Sequence, residues 1–215
     1  MSELKHHGIK GQKWGIRRYQ NPDGTLTNAG RKRLADNVRK HMIKDQNYDS
    51  ESRLAKSNAT IKKAINSSSL KSARSELDKL GELVRGYADN EDVIYKYKVK
   101  ACAQMFGESE EAVREQHGKD DVWLMYEDWD QGYPGDSFDL YLRDNGTDTE
   151  KFNNTKIEAL RKYREECKKV AETLLGEYGD TPVKRRYSWE GTTAKDAVTD
   201  AMVQIAENER LLYYC

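Results

Sequence analysis

The residues whose types and spacing could support chemistry lie mainly in one acidic stretch of this 215-residue chain. Dense carboxylates are typical of divalent-cation sites and of metal-dependent nucleases. Asp128-x-Asp130 begins like a calcium-binding EF-hand loop, but Gly132 comes one position early and position 139 is not Glu. We therefore interpret the stretch as an acidic interaction surface or a solvated loop, with catalysis as the weaker alternative. Its carboxylates are Asp120, Asp121, Glu127, Asp128, Asp130, Asp136 and Asp139.

Other chemistries find less support in the sequence. His6 and His7 are adjacent, and no cysteine or acid accompanies them at a spacing typical of metal ligands. Cys102, Cys167 and Cys215 are too far apart to indicate a disulfide framework or a paired-cysteine metal site. The glycine-rich segment GIKGQKWG lacks the GK[ST] ending of a phosphate-binding loop. We predict no catalytic, cofactor or metal site. Whether the protein is an enzyme is therefore uncertain, and a protein without enzymatic activity is favoured.

The N-terminal segment has a composition that helical faces do not explain. Glycines every three or four residues lower helix propensity, so residues 1–26 are predicted to form an extended, basic docking tag. Trp14 and Tyr19 are aromatic residues of the kind that anchor interfaces, and Lys13, Arg17 and Arg18 would supply charged contacts. The predicted partner-binding residues are His6, His7, Gly8, Gly11, Lys13, Trp14, Gly15, Arg17, Arg18 and Tyr19.

The segment HHGIKGQKWGIRRYQNPDGTLTNAG, residues 6–30, resembles a tag of tailed-bacteriophage proteins from Gram-positive hosts. That tag occurs at one end of head-morphogenesis, minor capsid and portal-associated proteins. Gln12 and Ile16 stand where Met and Val are usual in it. The resemblance implies a virion protein that is made in the host cytoplasm and binds a capsid or portal protein. We recognise no family in the rest of the chain.

The charges are balanced overall but unevenly distributed. The chain has 37 Lys/Arg and 37 Asp/Glu, a mean hydropathy of −1.00 and no apolar run long enough to span a membrane. Residues 1–44 hold 11 basic and three acidic side chains, a net of +8, whereas residues 107–150 hold three and 14, a net of −11. Such blocks could attract each other, within one molecule or between copies of an oligomer, and the basic block could bind DNA.

Hydrophobic periodicity predicts a mainly α-helical protein, a helical bundle or paired long helices. After the tag we predict an N-terminal helical region at 27–118 and a C-terminal helical pair at 148–215. Between them, residues 119–147 read as an irregular or β-hairpin insert, because Phe138, Leu140 and Leu142 alternate with polar residues or tyrosine. Helices are expected at about 28–46, 51–66, 70–89, 91–106, 148–178 and 193–213, with a short one after Ser109.

Three functions remain open at this point. The leading one is a structural or packaged phage protein that docks to the head or portal through its tag. The second is an anti-defence inhibitor that binds a host defence protein through the acidic insert. The third is a packaged toxin or nuclease.

Overall fold

A computed structural model of the chain describes residues 18–44, 50–127, 136–184 and 192–210. These residues form eleven α-helices, one 3₁₀ turn and one small antiparallel sheet, which confirms the mainly α class with a small hairpin. The helices are α1 Asn28–Lys44, α2 Ser50–Ser57, α3 Ala59–Ile65, α4 Ser68–Ala73, α5 Ser75–Ala88, α6 Glu91–Phe106, α7 Glu110–Gln116, α8 Lys119–Glu127, α9 Ser137–Asp144, α10 Thr149–Leu175 and α11 Ala194–Arg210. None of them combines the length and the apolar character that crossing a bilayer requires.

The chain forms two compact units. The first comprises Met1–Leu70 and Arg164–Ile205, and the second comprises Lys71–Tyr163 and Ala206–Cys215. Helix α10 therefore contributes residues to both. The predicted division at residues 26, 118 and 147 remains a prediction.

The buried apolar residues of the first unit come from α1, α2, α3, α11 and the C-terminal part of α10. In α1, Leu34, Val38 and Met42 recur at four-residue spacing and are buried, as expected for one face of a helix. Strands β1 Pro182–Val183 and β2 Thr192–Thr193 pair antiparallel, and β1 packs against α1. Val183 is buried there, so the small sheet extends the same core.

The single helix predicted at 51–66 is instead two helices, α2 and α3. The chain breaks at Asn58, whose side-chain oxygen accepts hydrogen bonds from the N–H groups of Thr60 and Ile61. Asparagine competes for backbone donors in this way and therefore starts helices more readily than it continues them. Leu54 and Ile61 are buried on either side of the break, so the hydrophobic pattern continues across it.

In the second unit, α6 is the central helix and packs against α5, α7, α8 and α9. Val99 and Cys102 of α6 form a core cluster with Val113 of α7 and Val122 of α8. The helix predicted at 70–89 is instead two helices, α4 and α5. Its periodic apolar residues are buried: Leu70, Leu77, Leu80, Val84 and Tyr87.

The position predicted for the β-hairpin is wrong. Residues 122–126 lie in α8 and residues 137–142 lie in α9, while the strands are at 182–183 and 192–193. The physical reason is that α9 is short and largely covered: Ser137, Phe138, Leu140 and Leu142 are buried, and only its last two residues are exposed. A short helix surrounded by neighbours can carry apolar residues at alternating positions, which makes its sequence resemble a strand.

Candidate functional site

The predicted docking tag lies partly outside the described residues. Arg18 and Tyr19 are described, as is the rest of the resembling segment through Gly30. The other predicted partner-binding residues lie outside the described ranges: His6, His7, Gly8, Gly11, Lys13, Trp14, Gly15 and Arg17. Their predicted roles are not tested by the geometry.

Residues 18–27 fold into a tight hydrogen-bonded loop, called here the N-terminal loop. The N–H of Asn21 donates to the carbonyl of Thr25 at 2.8 Å, and the N–H of Gly24 donates to the carbonyl of Asn21 at 3.0 Å. Gly24 has a φ of +86°, a conformation that glycine adopts without strain. Gln20 and Leu26 pair across the loop, so this part of the tag doubles back on itself rather than running extended.

Thr27 connects the N-terminal loop to α1. Its N–H donates to the carbonyl of Tyr19 at 3.2 Å, and its hydroxyl donates to the carbonyl of Arg18 at 2.8 Å. The same hydroxyl accepts a hydrogen bond from the N–H of Gly30 at 3.2 Å, which is the geometry of a helix N-cap. Gly30 is buried and lies directly against the loop. A Cβ at this position would overlap the carbonyl oxygen of Tyr19, so only glycine fits here without a shift.

Two guanidinium groups of the same chain contact the Tyr19 ring. The Cζ of Arg33 stands 4.5 Å from the ring centroid and that of Arg18 stands 5.4 Å from it. Cation–π contacts at these distances are favourable, and they fix Arg33 of α1 against the N-terminal loop. The ring is therefore already occupied within the chain, and its predicted role as a partner anchor remains a prediction.

A set of exposed cations surrounds the N-terminal loop, and we call it the basic surface. On α1 the positions 32, 33, 39 and 40 recur on the face opposite the buried stripe, as the helical repeat requires. On α3, the Nζ of Lys63 lies 3.8 Å from where a Cβ on Gly24 would stand, so this helix also reaches the loop. The basic surface comprises Arg18, Lys32, Arg33, Arg39, Lys40, Lys62 and Lys63, all of them exposed.

Arg31 is the cation of α1 that turns towards the protein. Its guanidinium packs against Gly176, where the 3₁₀ turn Gly176–Tyr178 follows the end of α10. A cation at a helix C-terminus is favoured by the carbonyl groups exposed there. Arg31 therefore serves the fold, whereas its neighbours Lys32 and Arg33 face solvent.

The predicted acidic surface divides into residues with different environments. Asp120, Asp121 and Glu127 are exposed on α8, whereas Asp128 and Asp130 lie outside the described residues. Among the residues that the structure does describe, no group of three His, Cys, Asp or Glu side chains is placed to hold a metal ion.

Asp136 and Asp139 belong to the helix α9 rather than to an open loop. Asp139 is half-buried in its first turn, and Asp136 caps it by accepting the N–H of Phe138 at 2.9 Å. The hydroxyl of Tyr126 also donates to Asp136 at 2.8 Å and accepts the N–H of Ser137 at 3.2 Å. Burial raises the pKa of the Tyr126 phenol, so this hydroxyl keeps its proton at neutral pH. Asp136 is thus a structural residue, which sequence density alone did not reveal.

We expect Asp136→Ala to lower the free energy of unfolding by about 1–2 kcal/mol, because it removes a helix cap. Glu127→Ala is the matched control: it removes an exposed carboxylate of the same predicted surface and is expected to change stability by no more than about 0.5 kcal/mol. Urea denaturation followed by circular dichroism measures both. Equal effects for the two variants would contradict the capping role.

The second unit contains one buried lysine–aromatic cluster that the sequence did not reveal. The Lys98 Nζ lies 3.5 Å from the centroid of the Trp123 ring and 4.6 Å from that of Tyr126, and Lys98 is buried. Burial raises the pKa of the nearby Cys102 thiol, with the Lys98 charge acting in the opposite direction. Lys98 and Cys102 are one helical turn apart, but this spacing alone does not predict the cluster. Its aromatic members, Trp123 and Tyr126, belong to another helix, α8.

Comparison with protein-family models, curated proteins and solved structures found no match for this chain. A functional conclusion therefore depends on the chain's own residues and their geometry.

Proposed function

We propose that this protein is a structural or packaged component of a bacteriophage virion that docks to the head or portal region through its N-terminal tag. The proposal starts from the resemblance of residues 6–30 to the tag of phage head proteins. The body of the protein would be structural or carried cargo. The protein would be made in the host cytoplasm and retained in the particle.

The observation that carries the proposal is the way the second half of the tag is built. Residues 18–30 bond to themselves and to the start of α1, with Thr27 bridging Arg18, Tyr19 and Gly30. These residues therefore fix the position at which residues 1–17 join the helical body. Residues 1–17 carry four Lys/Arg and one acid, together with Trp14, and they supply the chemistry for contact with a partner.

The test uses purified particles of the phage that encodes the chain. The chain is supplied intact or without residues 1–17, and mass spectrometry quantifies its copies per particle. We expect the intact chain in the particle and a loss of at least ten-fold for the truncated one. The cut falls at residue 17 because removing residues through 26 would also delete Leu26, which is buried, and most of the N-terminal loop.

Two controls separate docking from folding. Circular dichroism of the truncated chain should retain the helical signal of the intact one. A Trp14→Ala variant should reduce incorporation, while Lys162→Ala, which changes an exposed residue of α10, should not. Absence of the intact chain from particles would overturn the virion proposal, and undiminished incorporation of the truncated chain would overturn the role of the tag.

A further inference from the structure

We infer that the basic surface binds the phosphate backbone of double-stranded DNA without sequence preference. This inference goes beyond the proposed function, because it assigns a partner to the folded first unit rather than to residues 1–17. It rests on the charge, exposure and arrangement of side chains around the N-terminal loop.

The part of the chain that carries the basic surface has an excess of positive charge. Residues 18–70 contain 11 Lys/Arg and five Asp/Glu, a net of +6 within 53 positions of a chain whose net charge is zero. Asp36 is the acid on the exposed stripe of α1, and its carboxylate lies 3.5 Å from the Arg39 guanidinium in an exposed pair that contributes little. Within the described ranges, Lys32, Lys40, Lys62 and Lys63 form no ion pair. Their charges remain available to a polyanion.

The cations of α1 and α3 form one continuous surface. Arg33 of α1 stacks on Tyr19 of the N-terminal loop, and Lys63 of α3 lies beside Gly24 on the same loop. The loop therefore links the cations of two helices into one surface. The contact with the ring also positions the Arg33 guanidinium, whose N–H groups are of the kind that donate to phosphate oxygens.

The spacing of the cations along α1 matches the dimensions of DNA. Lys32 and Lys40 are eight residues apart on one helical face, which corresponds to about 12 Å along the axis. That distance is comparable to the width of the DNA major groove, about 12 Å, so cations at both ends of the stripe can reach phosphates that flank it. We take about four to six simultaneous phosphate contacts by the seven cations as the basis for the expected salt dependence.

The chemistry of the surface favours DNA over a protein or a membrane. The exposed large hydrophobic residues of the described chain are Phe106, Leu124 and Ile157, and all three belong to the second unit. A protein interface normally buries apolar and aromatic residues at its centre, and an interfacial helix inserts its apolar face into lipid. The apolar face of α1 is buried in the first unit, which leaves the cations as the means of binding.

Fluorescence anisotropy with the purified full chain and labelled 30-base-pair duplexes of two unrelated sequences tests the inference. We expect similar affinity for both duplexes and a slope of log K against log salt of about −4 to −5, as four to six phosphate contacts predict. Affinity should fall roughly 10²–10³-fold between 50 and 200 mM salt. The double variant Lys32→Gln, Lys40→Gln should reduce the slope by about 2 and weaken binding roughly 10–100-fold at 0.1 M salt.

The matched control is the double variant Lys79→Gln, Lys151→Gln, which makes the same change in net charge at exposed positions of the second unit. It should leave affinity within about two-fold, since only cations that contact phosphate contribute to the slope. The chain without residues 1–17 should keep the salt-dependent binding. This readout needs no phage particle, so its failure is distinguishable from failure of the proposed docking function.

Three results would overturn the inference. The first is no binding to either duplex at 50 mM salt. The second is equal loss of affinity in the two double variants, or complete loss on removal of residues 1–17. The third is binding to vesicles of anionic phospholipid that depends on Lys32 and Lys40 while DNA is not bound, which would assign the surface to a membrane.

Discussion

Replacing Tyr87 by alanine is expected to lower the free energy of unfolding by about 3–5 kcal/mol, the usual range for truncating a large buried aromatic residue. The Tyr87 side chain is 2% exposed and lies at the centre of an aromatic cluster in the second unit. Its ring centroid is 5.3 Å from Phe138, 5.4 Å from Tyr141 and 6.4 Å from Tyr97, distances at which aromatic pairs stabilise each other beyond simple burial.

The conservative variant Tyr87→Phe separates packing from hydrogen bonding. It keeps the ring and removes only the hydroxyl, which is hydrogen-bonded to the buried Ser137 at the start of α9. We expect a loss of about 1–3 kcal/mol, the cost of leaving a buried polar partner unsatisfied. Urea denaturation gives both values. A loss below about 1 kcal/mol for the alanine variant would show that the cluster does not form in solution.

Gly30→Ala is expected to destabilise the protein by about 1–3 kcal/mol, although alanine is the better helix former by about 1 kcal/mol. Gly30 is in the first turn of α1, where propensity alone would predict stabilisation. The new Cβ would overlap the carbonyl oxygen of Tyr19, a backbone atom that cannot rotate away. The N-terminal loop would then have to move and release the hydrogen bond from Thr27 to Tyr19.

Asn28→Ala, at an exposed position of the same helical turn, is the control for Gly30→Ala and should change stability by no more than about 0.5 kcal/mol. Hydrogen exchange of the Thr27 amide gives an independent readout. Its protection should be lost in Gly30→Ala and retained in Asn28→Ala. Stabilisation by Gly30→Ala would mean that the close approach of loop and helix is absent.

The helices were predictable where the sequence carries its own start and stop signals. Helix α6 lies at Glu91–Phe106, as expected, because the Asn90 side chain caps its first turn and Gly107 ends it with a φ of +68°. Helix α11 begins at Ala194, next to the predicted start, because the Thr193 hydroxyl caps it by accepting the N–H of Asp196. At α10, predicted to begin at about 148, the carboxylate of Asp148 accepts the N–H of Lys151 and caps the first turn.

The contacts at the candidate sites were less predictable. They join side chains that are far apart in the sequence, or they depend on the conformation of the N-terminal loop. The Asn-Pro-Asp-Gly sequence at residues 21–24 is typical of a turn, but nothing in it indicates that Tyr19 would lie under Arg33. The contact of Lys98 with Trp123 joins two helices, and no local pattern encodes it. Asp136 was grouped with the other acids by proximity, whereas the Tyr126 hydroxyl makes it part of the structure.

The hydrogen bonds that close the N-terminal loop all join residues between Arg18 and Arg31. The backbone geometry of this unit is therefore set largely by bonds within it, while the buried Leu26 and the nearby Lys63 of α3 connect it to the rest of the first unit. We therefore expect residues 18–31 to keep this loop ahead of any helix that starts after Thr27 and buries Leu26.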